Sequence, residues 1–283
     1  MTSLIPSSLT PRAGLDDATL ADRSRRFGAW YVVEHKLRAA RSFFWTLLAT
    51  MLGTPFLYLF AFGVGLATLV VDSRGGEFVD GVGYLQFVAP ALIINAAVLL
   101  AAEEYMFGML LGFKWNMIFI GMNAAPISGR QIVDGMFIYV SLRALVTASI
   151  YYGAVVLFGG VVSPWSLLVV PIAILTALSF SPIAAWSATL YEDRGQFNIV
   201  NRLILMPLSL FSGTVFPLSQ LPVFLQWIGW VSPIWHGSEL ARQFSYGPTE
   251  PIWLTVVHVL FLVVLAAFGW RLTVRLTTKR LAR

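Results

Sequence analysis

Of the chain's 283 residues, 58% are hydrophobic and only 12% are charged, with a mean hydropathy of +0.76. Soluble domains carry about 25% charged residues, so the composition excludes an ordinary soluble fold and describes a polytopic membrane protein. A net charge of +5 suits one membrane face better than nucleic acid, and the absence of cysteine excludes disulfides and thiolate metal sites.

Residues 1–26 are polar and hold Pro6, Pro11, Asp16, Asp17 and Asp22. They lack the charged-then-apolar order of a cleavable signal peptide and read as a flexible cytoplasmic arm. In residues 27–41, Phe27, Trp30, Tyr31 and Leu37 share a helical face, with Glu34, Lys36, Arg38 and Arg41 largely elsewhere. That pattern predicts an amphipathic helix on the inner membrane surface; an extension of the first span is the alternative.

Residues 42–283 form the transmembrane domain. The first apolar run, 43–71, is long enough to cross with tilt, and Pro55 is a candidate kink. A short polar loop with Gly75 and Gly76 follows at 72–80. The second span, 84–102, carries Pro90 and Asn95 and runs into Glu103 and Glu104. A polar stretch with Lys114, Pro126, Gly129 and Arg130 leads to the third span, 136–158, which contains Arg143. A tight turn at 159–166 precedes the fourth span, 167–190, with Pro171 and Pro182. After a polar turn at 191–202 comes a short fifth span, 203–216, which residues 198–200 can complete. The sixth span is 253–270, and residues 271–283 are a basic tail.

Basic residues fix the orientation. Arg12, Arg23, Arg25, Arg26, Lys36, Arg38 and Arg41 precede the first span. Lys114 and Arg130 follow the second, Arg194 and Arg202 follow the fourth, and Arg271, Arg275, Lys279, Arg280 and Arg283 close the chain. Only Arg74 and Arg242 fall on the other side, so both termini are expected in the cytoplasm.

Residues 211–242 are too broken by Pro217, Pro222 and Pro233 to span, and too apolar for a water-exposed loop. Trp227, Trp230 and Trp235 suit a boundary between apolar and wet surroundings. The expected form is a turn at Pro217 and a short piece that dips into the membrane from outside, buried in protein or lining a cavity.

Few residues carry chemistry. His35, His236 and His258 are far apart, with no carboxylate at ligand spacing, which argues against a metal site. The chain has no Walker lysine motif, nucleophile elbow or zincin motif, so it cannot bind and hydrolyse ATP in the P-loop manner. In the loop 112–128, Phe113, Trp115, Met117, Ile118 and Phe119 present apolar surface that needs a partner, or else the loop lies flat on the membrane. Glu103 and Glu104 sit at the end of the second span, as solvated groups or as partners of Lys114 or Arg130. Arg143 is costly within a span. It reads either as an anchor for an anionic head group or as half of a structural pair with a carboxylate or helix carbonyls. Tyr139, Tyr151 and Tyr152 share its span as interface or core residues, and Glu239 and Arg242 are spaced to form a local pair.

The chain resembles the membrane subunit of type 2 ABC exporters. The likeness rests on Ser212-Gly213, Phe216-Pro217, Leu221-Pro222, Gln226-Trp227 and Ser232-Pro233. Phe87-Val88-Ala89-Pro90, Phe107-Gly108, Lys114-Trp115 and Ala125-Pro126-Ile127 resemble the branch of drug-resistance and nodulation lipo-oligosaccharide export permeases. The resemblance implies an all-α fold of six transmembrane helices, an N-terminal connecting helix and an extracellular re-entrant helical hairpin, in the bacterial cytoplasmic membrane. It implies a dimer, of like or unlike permease copies, with an ABC ATPase subunit for each. ATP and Mg would sit on that separate chain, this chain holding no cofactor and no catalytic residue. Phe113, Lys114, Trp115, Asn116, Met117 and Pro126 would couple to the ATPase. Phe216, Pro217, Pro222, Trp227, Trp230 and Pro233 would close the outer gate. Arg143, Tyr139, Asn95, Glu103 and Glu104 are the substrate-pathway candidates, for export of a lipid-linked glycan, a lipid or an amphipathic drug-like compound. An intramembrane lipid-modifying enzyme and a scaffold without transport stay open as alternatives.

Overall fold

The computed structural model describes residues 17–66, 81–192, 195–247 and 250–283. The arm before residue 17, the loop at 72–80, the last residues of the first predicted span and Arg194 lie outside the described residues.

Every described element is helical. Helix α1 (Asp17–Ser42) starts within the stretch read as an arm. Helix α2 (Phe44–Tyr58) runs through Pro55 and widens into a π-helical segment, Leu59–Leu66. Helix α3 (Tyr84–Leu110) absorbs Pro90 and ends in a wide turn, Leu111–Trp115. Short α4 (Ile118–Ala124) leads to α5 (Gly129–Leu157). A 3₁₀ turn, Pro164–Leu168, opens α6 (Val169–Ser179), and α7 (Pro182–Thr189) follows after a break. That break divides the predicted fourth span just where Pro182 has no N–H to offer a continuous helix.

Helices α8 (Gln196–Val200) and α9 (Met206–Phe211) are joined by the π-turn Asn201–Leu205. After a turn come α10 (Val223–Val231), α11 (Pro233–Tyr246) and α12 (Ile252–Leu281). The predicted basic tail is therefore helical almost to its end. Its lysine and arginines suit the last turns of a helix, where the macrodipole is negative.

Among the described residues, five helical stretches are long and apolar enough to cross a membrane: Phe44–Ala61, Tyr84–Trp115, Gly129–Leu157, Pro164–Thr189 and Ile252–Leu281. The stretch from Gln196 to Phe211, which covers much of the expected fifth span, is shorter than these.

The core lies along α3. It packs on α5, α6, α7 and α11, and its buried residues include Val88, Ile94, Ala97, Val98 and Tyr105. α12 packs on α5, α6, α7 and α11, and leaves Val256, Leu260, Val264 and Phe268 exposed. α1 lies against α5. A Cβ at Gly135 would come within 2.5 Å of the Ala29 carbonyl oxygen and 2.6 Å of the Val32 Cβ, so only glycine allows that approach. Gln131 adds a clamp by donating from Nε2 to the Ser24 and Arg25 carbonyls. The buried side of α1 is thus Gly28, Val32 and Val33, while Phe27, Trp30, Tyr31 and Leu37 stay exposed.

Candidate functional site

Three groups of residues stand out, two of them at the end of the bundle that carries α1, α4 and the C-terminus of α12.

The first is the reversal between α3 and α5. Met117 turns the chain with φ of 50°, a left-handed conformation uncommon for a residue with a side chain. Phe113 is buried and meets Phe119 edge-on, ring centres 5.2 Å apart. Phe119 can reach that position because residue 112 is glycine; a Cβ there would lie 2.3 Å from the ring. The Arg280 guanidinium covers Phe113 at 4.0 Å and Tyr191 at 4.7 Å, and donates to the Ala188 and Leu190 carbonyls. Lys114 pairs with Glu192 at 3.6 Å. What remains on the surface is Trp115, 56% exposed, with Asn116, Met117, Ile120 and Pro126. Of the aromatic residues expected to face a partner, Phe113 and Phe119 instead form the pin that holds the reversal rigid. A sequence pattern cannot separate the two roles, because pin and docking surface are both apolar.

The second group is a charge cluster between α1, α3 and α5. Arg143 pairs through Nη1 with Oε1 of Glu104, and Lys36 approaches Oε2 of the same carboxylate at 3.4 Å. All three are largely buried. The Tyr139 ring lies 4.9 Å from the Lys36 ammonium and 5.9 Å from the Arg143 guanidinium. One carboxylate flanked by two cations leaves a net positive site against an aromatic face. Glu104 therefore meets neither Lys114 nor Arg130, the latter lying 3.5 Å from Asp134. Glu103, on the next face of α3, is exposed. Asn95 stands apart from the cluster, its Oδ1 buried without a hydrogen-bond partner among the described residues.

The third group lies at the opposite end. Arg242 is 1% exposed and reaches four partners. It donates from Nη1 to Glu239 at 2.7 Å, from Nη2 to the Gly213 and Thr214 carbonyls at 2.6 and 3.3 Å, and from Nε to the Phe87 carbonyl at 3.2 Å, while covering the Phe87 ring at 3.8 Å. It ties the turn after α9 to α11 and to the start of α3. Ser212 donates to Ser232 at 2.6 Å, and Ser232 caps α11 ahead of Pro233 at the first helical position. α11 is buried among α3, α6 and α12. α10 stays on the surface, with Trp227 and Trp230 each 58% exposed beside Phe216 and Pro222; Pro217 is half-buried.

The fold brings together two histidines that no local pattern connects. α11 and α12 run back on one another, so His236 and His258 meet through their Nδ1 atoms at 2.6 Å. His236 Nε2 lies 3.0 Å from the Trp230 carbonyl, which can only accept, and His258 Nε2 lies 3.0 Å from Glu250. Satisfying every contact makes Nδ1 of His236 the acceptor and places one proton between His258 and Glu250. Gln243 donates to Glu250 at 3.2 Å, and Thr255 to Gln243 at 2.6 Å. Burial, and then the neighbouring His258, pushes the His236 imidazole down to about 4.

A bundle of long apolar helices with a rigid apolar reversal at one end and a tryptophan-bearing helical pair at the other defines a multi-pass membrane protein. Residues 30–246 match the family described as ABC-2 type transporter, and the chain belongs to it. It is similar to Nodulation protein J of Rhizobium leguminosarum bv. viciae, 28% identical over 240 residues that cover 83% of this chain and 89% of the relative. The same protein of R. leguminosarum bv. trifolii is 28% identical, covering 83% and 88%. That of Sinorhizobium fredii (strain NBRC 101917 / NGR234) is 26% identical over 237 residues, covering 83% and 87%. No solved structure matches.

Proposed function

We propose that this chain is the permease subunit of an ATP-driven exporter in the bacterial inner membrane. Two copies pair, and each docks an ABC ATPase carried on a separate chain, which binds ATP and Mg. The cargo is a lipid-linked glycan, a lipid or an amphipathic drug-like compound. Membership of the ABC-2 family and the similarity to Nodulation protein J support the class. In this reading the stretch from Gln196 to Phe211 makes the fifth of six crossings, thinning the bilayer or packing on the second copy. The α1 face of Phe27, Trp30, Tyr31 and Leu37 rests on the inner membrane surface. α10 and α11 form the outer re-entrant hairpin, with Phe216, Trp227 and Trp230 as the apolar lid of the exit.

The observation that carries the proposal is the reversal at 111–128. Its apolar surface is not loose: Trp115, Met117 and Ile120 stay outside while Phe113, Phe119 and Arg280 hold the backbone beneath them. A rigid apolar knob at the basic end of the bundle suits a groove on a partner. Trp115→Ala with Met117→Ala is expected to abolish stimulation of the co-purifying ATPase while the permease keeps its unfolding temperature. Full stimulation by that variant would defeat the assignment.

A further inference from the structure

Between the end of α1, α2 and α5 lies a partly open cavity of about 320 Å³. Leu47 and Met51 of α2 face Val146 and Ile150 of α5 across it, and the wall is almost wholly apolar. Arg41, Tyr139 and Arg143 are the lining residues that carry polar groups. Arg143 is compensated by Glu104, whereas Arg41 is exposed and has no ion-pair partner among the described residues.

The dimensions select the occupant. From Tyr139 to Ile150 the cavity follows α5 for about 16 Å, at roughly 1.5 Å per residue. The hydrocarbon core of a bilayer is about 30 Å thick, so this is about one leaflet. A packed helix is about 10 Å across or more, too wide for the space, whereas one extended hydrocarbon chain fits it. The basic end of the bundle is the cytoplasmic end in the orientation proposed above, and the cytoplasmic leaflet is the one rich in anionic headgroups. We infer that the cavity holds one acyl chain of an anionic inner-leaflet phospholipid, whose headgroup phosphate sits at Arg41. The lipid fills the seam between α2 and α5 and lies beside the Lys36–Glu104–Arg143 cluster.

The test uses the full chain in phosphatidylcholine nanodiscs doped with phosphatidylglycerol that carries a photoreactive diazirine midway along one acyl chain. Illumination followed by peptide mass spectrometry should place the label on residues 142–150 and 47–51 in preference to the lipid-facing Leu260 and Val264 of α12. Val146→Trp fills the cavity from a position already 48% exposed, so the fold should tolerate it and the preference should vanish. Met51→Trp fills the same space from the other wall and serves where the first variant does not assemble. Arg41→Gln should lower the preference for the phosphatidylglycerol probe over a phosphatidylcholine probe about fivefold. Label spread evenly over α5 and α12, or unchanged by both tryptophans, would overturn the proposal. Labelling needs neither ATP nor the ATPase, so that outcome would leave the permease reading standing.

Discussion

The guanidinium of Arg280 lies 4.0 Å from the centre of the Phe113 ring. With its hydrogen bonds to the Ala188 and Leu190 carbonyls, it joins the end of α12 to the reversal after α3 and to the turn after α7. A cation–π contact contributes about 0.5–1 kcal/mol at an exposed site and about 2 kcal/mol when desolvated; Arg280 is part-buried, between these limits, and hydrogen bonds from a charged donor add to it. Arg280→Ala is expected to weaken ATPase docking about tenfold, measured as the concentration of ATPase subunit that half-saturates the detergent-solubilised permease. Arg280→Lys should restore little, because an ammonium lacks the planar fork that serves two carbonyls and a ring at once. Undiminished docking by the alanine variant would show that the pin is not part of the coupling face.

Among the described residues, Glu104 is the one carboxylate between Lys36 and Arg143. Glu104→Gln leaves two largely buried cations facing one another, at a cost of roughly 1–3 kcal/mol. Its unfolding temperature in detergent should fall below that of wild type. The double variant Glu104→Gln, Arg143→Leu should recover part of the loss, because the uncompensated charge is gone. Strictly additive effects would mean that the two side chains do not act as a pair.

Composition and apolar runs made the membrane bundle legible, because each span buries or exposes hydrocarbon along its whole length. The motif order from Phe216 to Pro233 made the family legible. Pairings were not. The burial cost of Arg143 signals that a partner exists, but Glu103 and Glu104 are adjacent, and only the rotation of α3 against α5 selects Glu104. In the same way, Phe113 and Trp115 look alike in sequence, and the room above Gly112 decides which one turns inward. His236 and His258 are 22 residues apart, and nothing local foretells that α11 and α12 fold back to join them. The end of the last apolar run looked like the end of a helix because charge began there; a helix leaving the membrane carries charge without breaking.

Arg242 is the buried anchor of the opposite end. Arg242→Met keeps much of the volume over Phe87 but strands the Gly213 and Thr214 carbonyls and leaves Glu239 without its counter-charge. Losing one partner of a buried ion pair costs about 3–5 kcal/mol. The variant should unfold at a markedly lower temperature, and a cysteine placed at Val215 should become more reactive to a water-soluble maleimide. Wild-type reactivity and stability would show that the turn after α9 is held by Ser212 and Ser232 alone.

The His236–His258 contact predicts a pH dependence whose sign can be worked out. His236 accepts at Nδ1, so protonating that atom sets it against the proton His258 donates. An imidazole that titrates near 6.5 when unfolded is held down to about 4 in the fold. The stability it contributes is fully present above about 6.5 and is lost as pH falls from there toward 4, because the unfolded chain takes up the proton first. The facing titratable groups are His258 and Glu250, with Glu239 and Arg242 further along α11. Burial raises the Glu239 carboxyl, which works in the opposite sense, so the comparison with a variant carries the test. His236→Gln keeps a side-chain acceptor toward His258 but does not titrate. Between pH 7 and pH 5 the wild-type unfolding temperature should fall relative to that of His236→Gln. Parallel curves for the two proteins would mean that His236 stays outside the acid response.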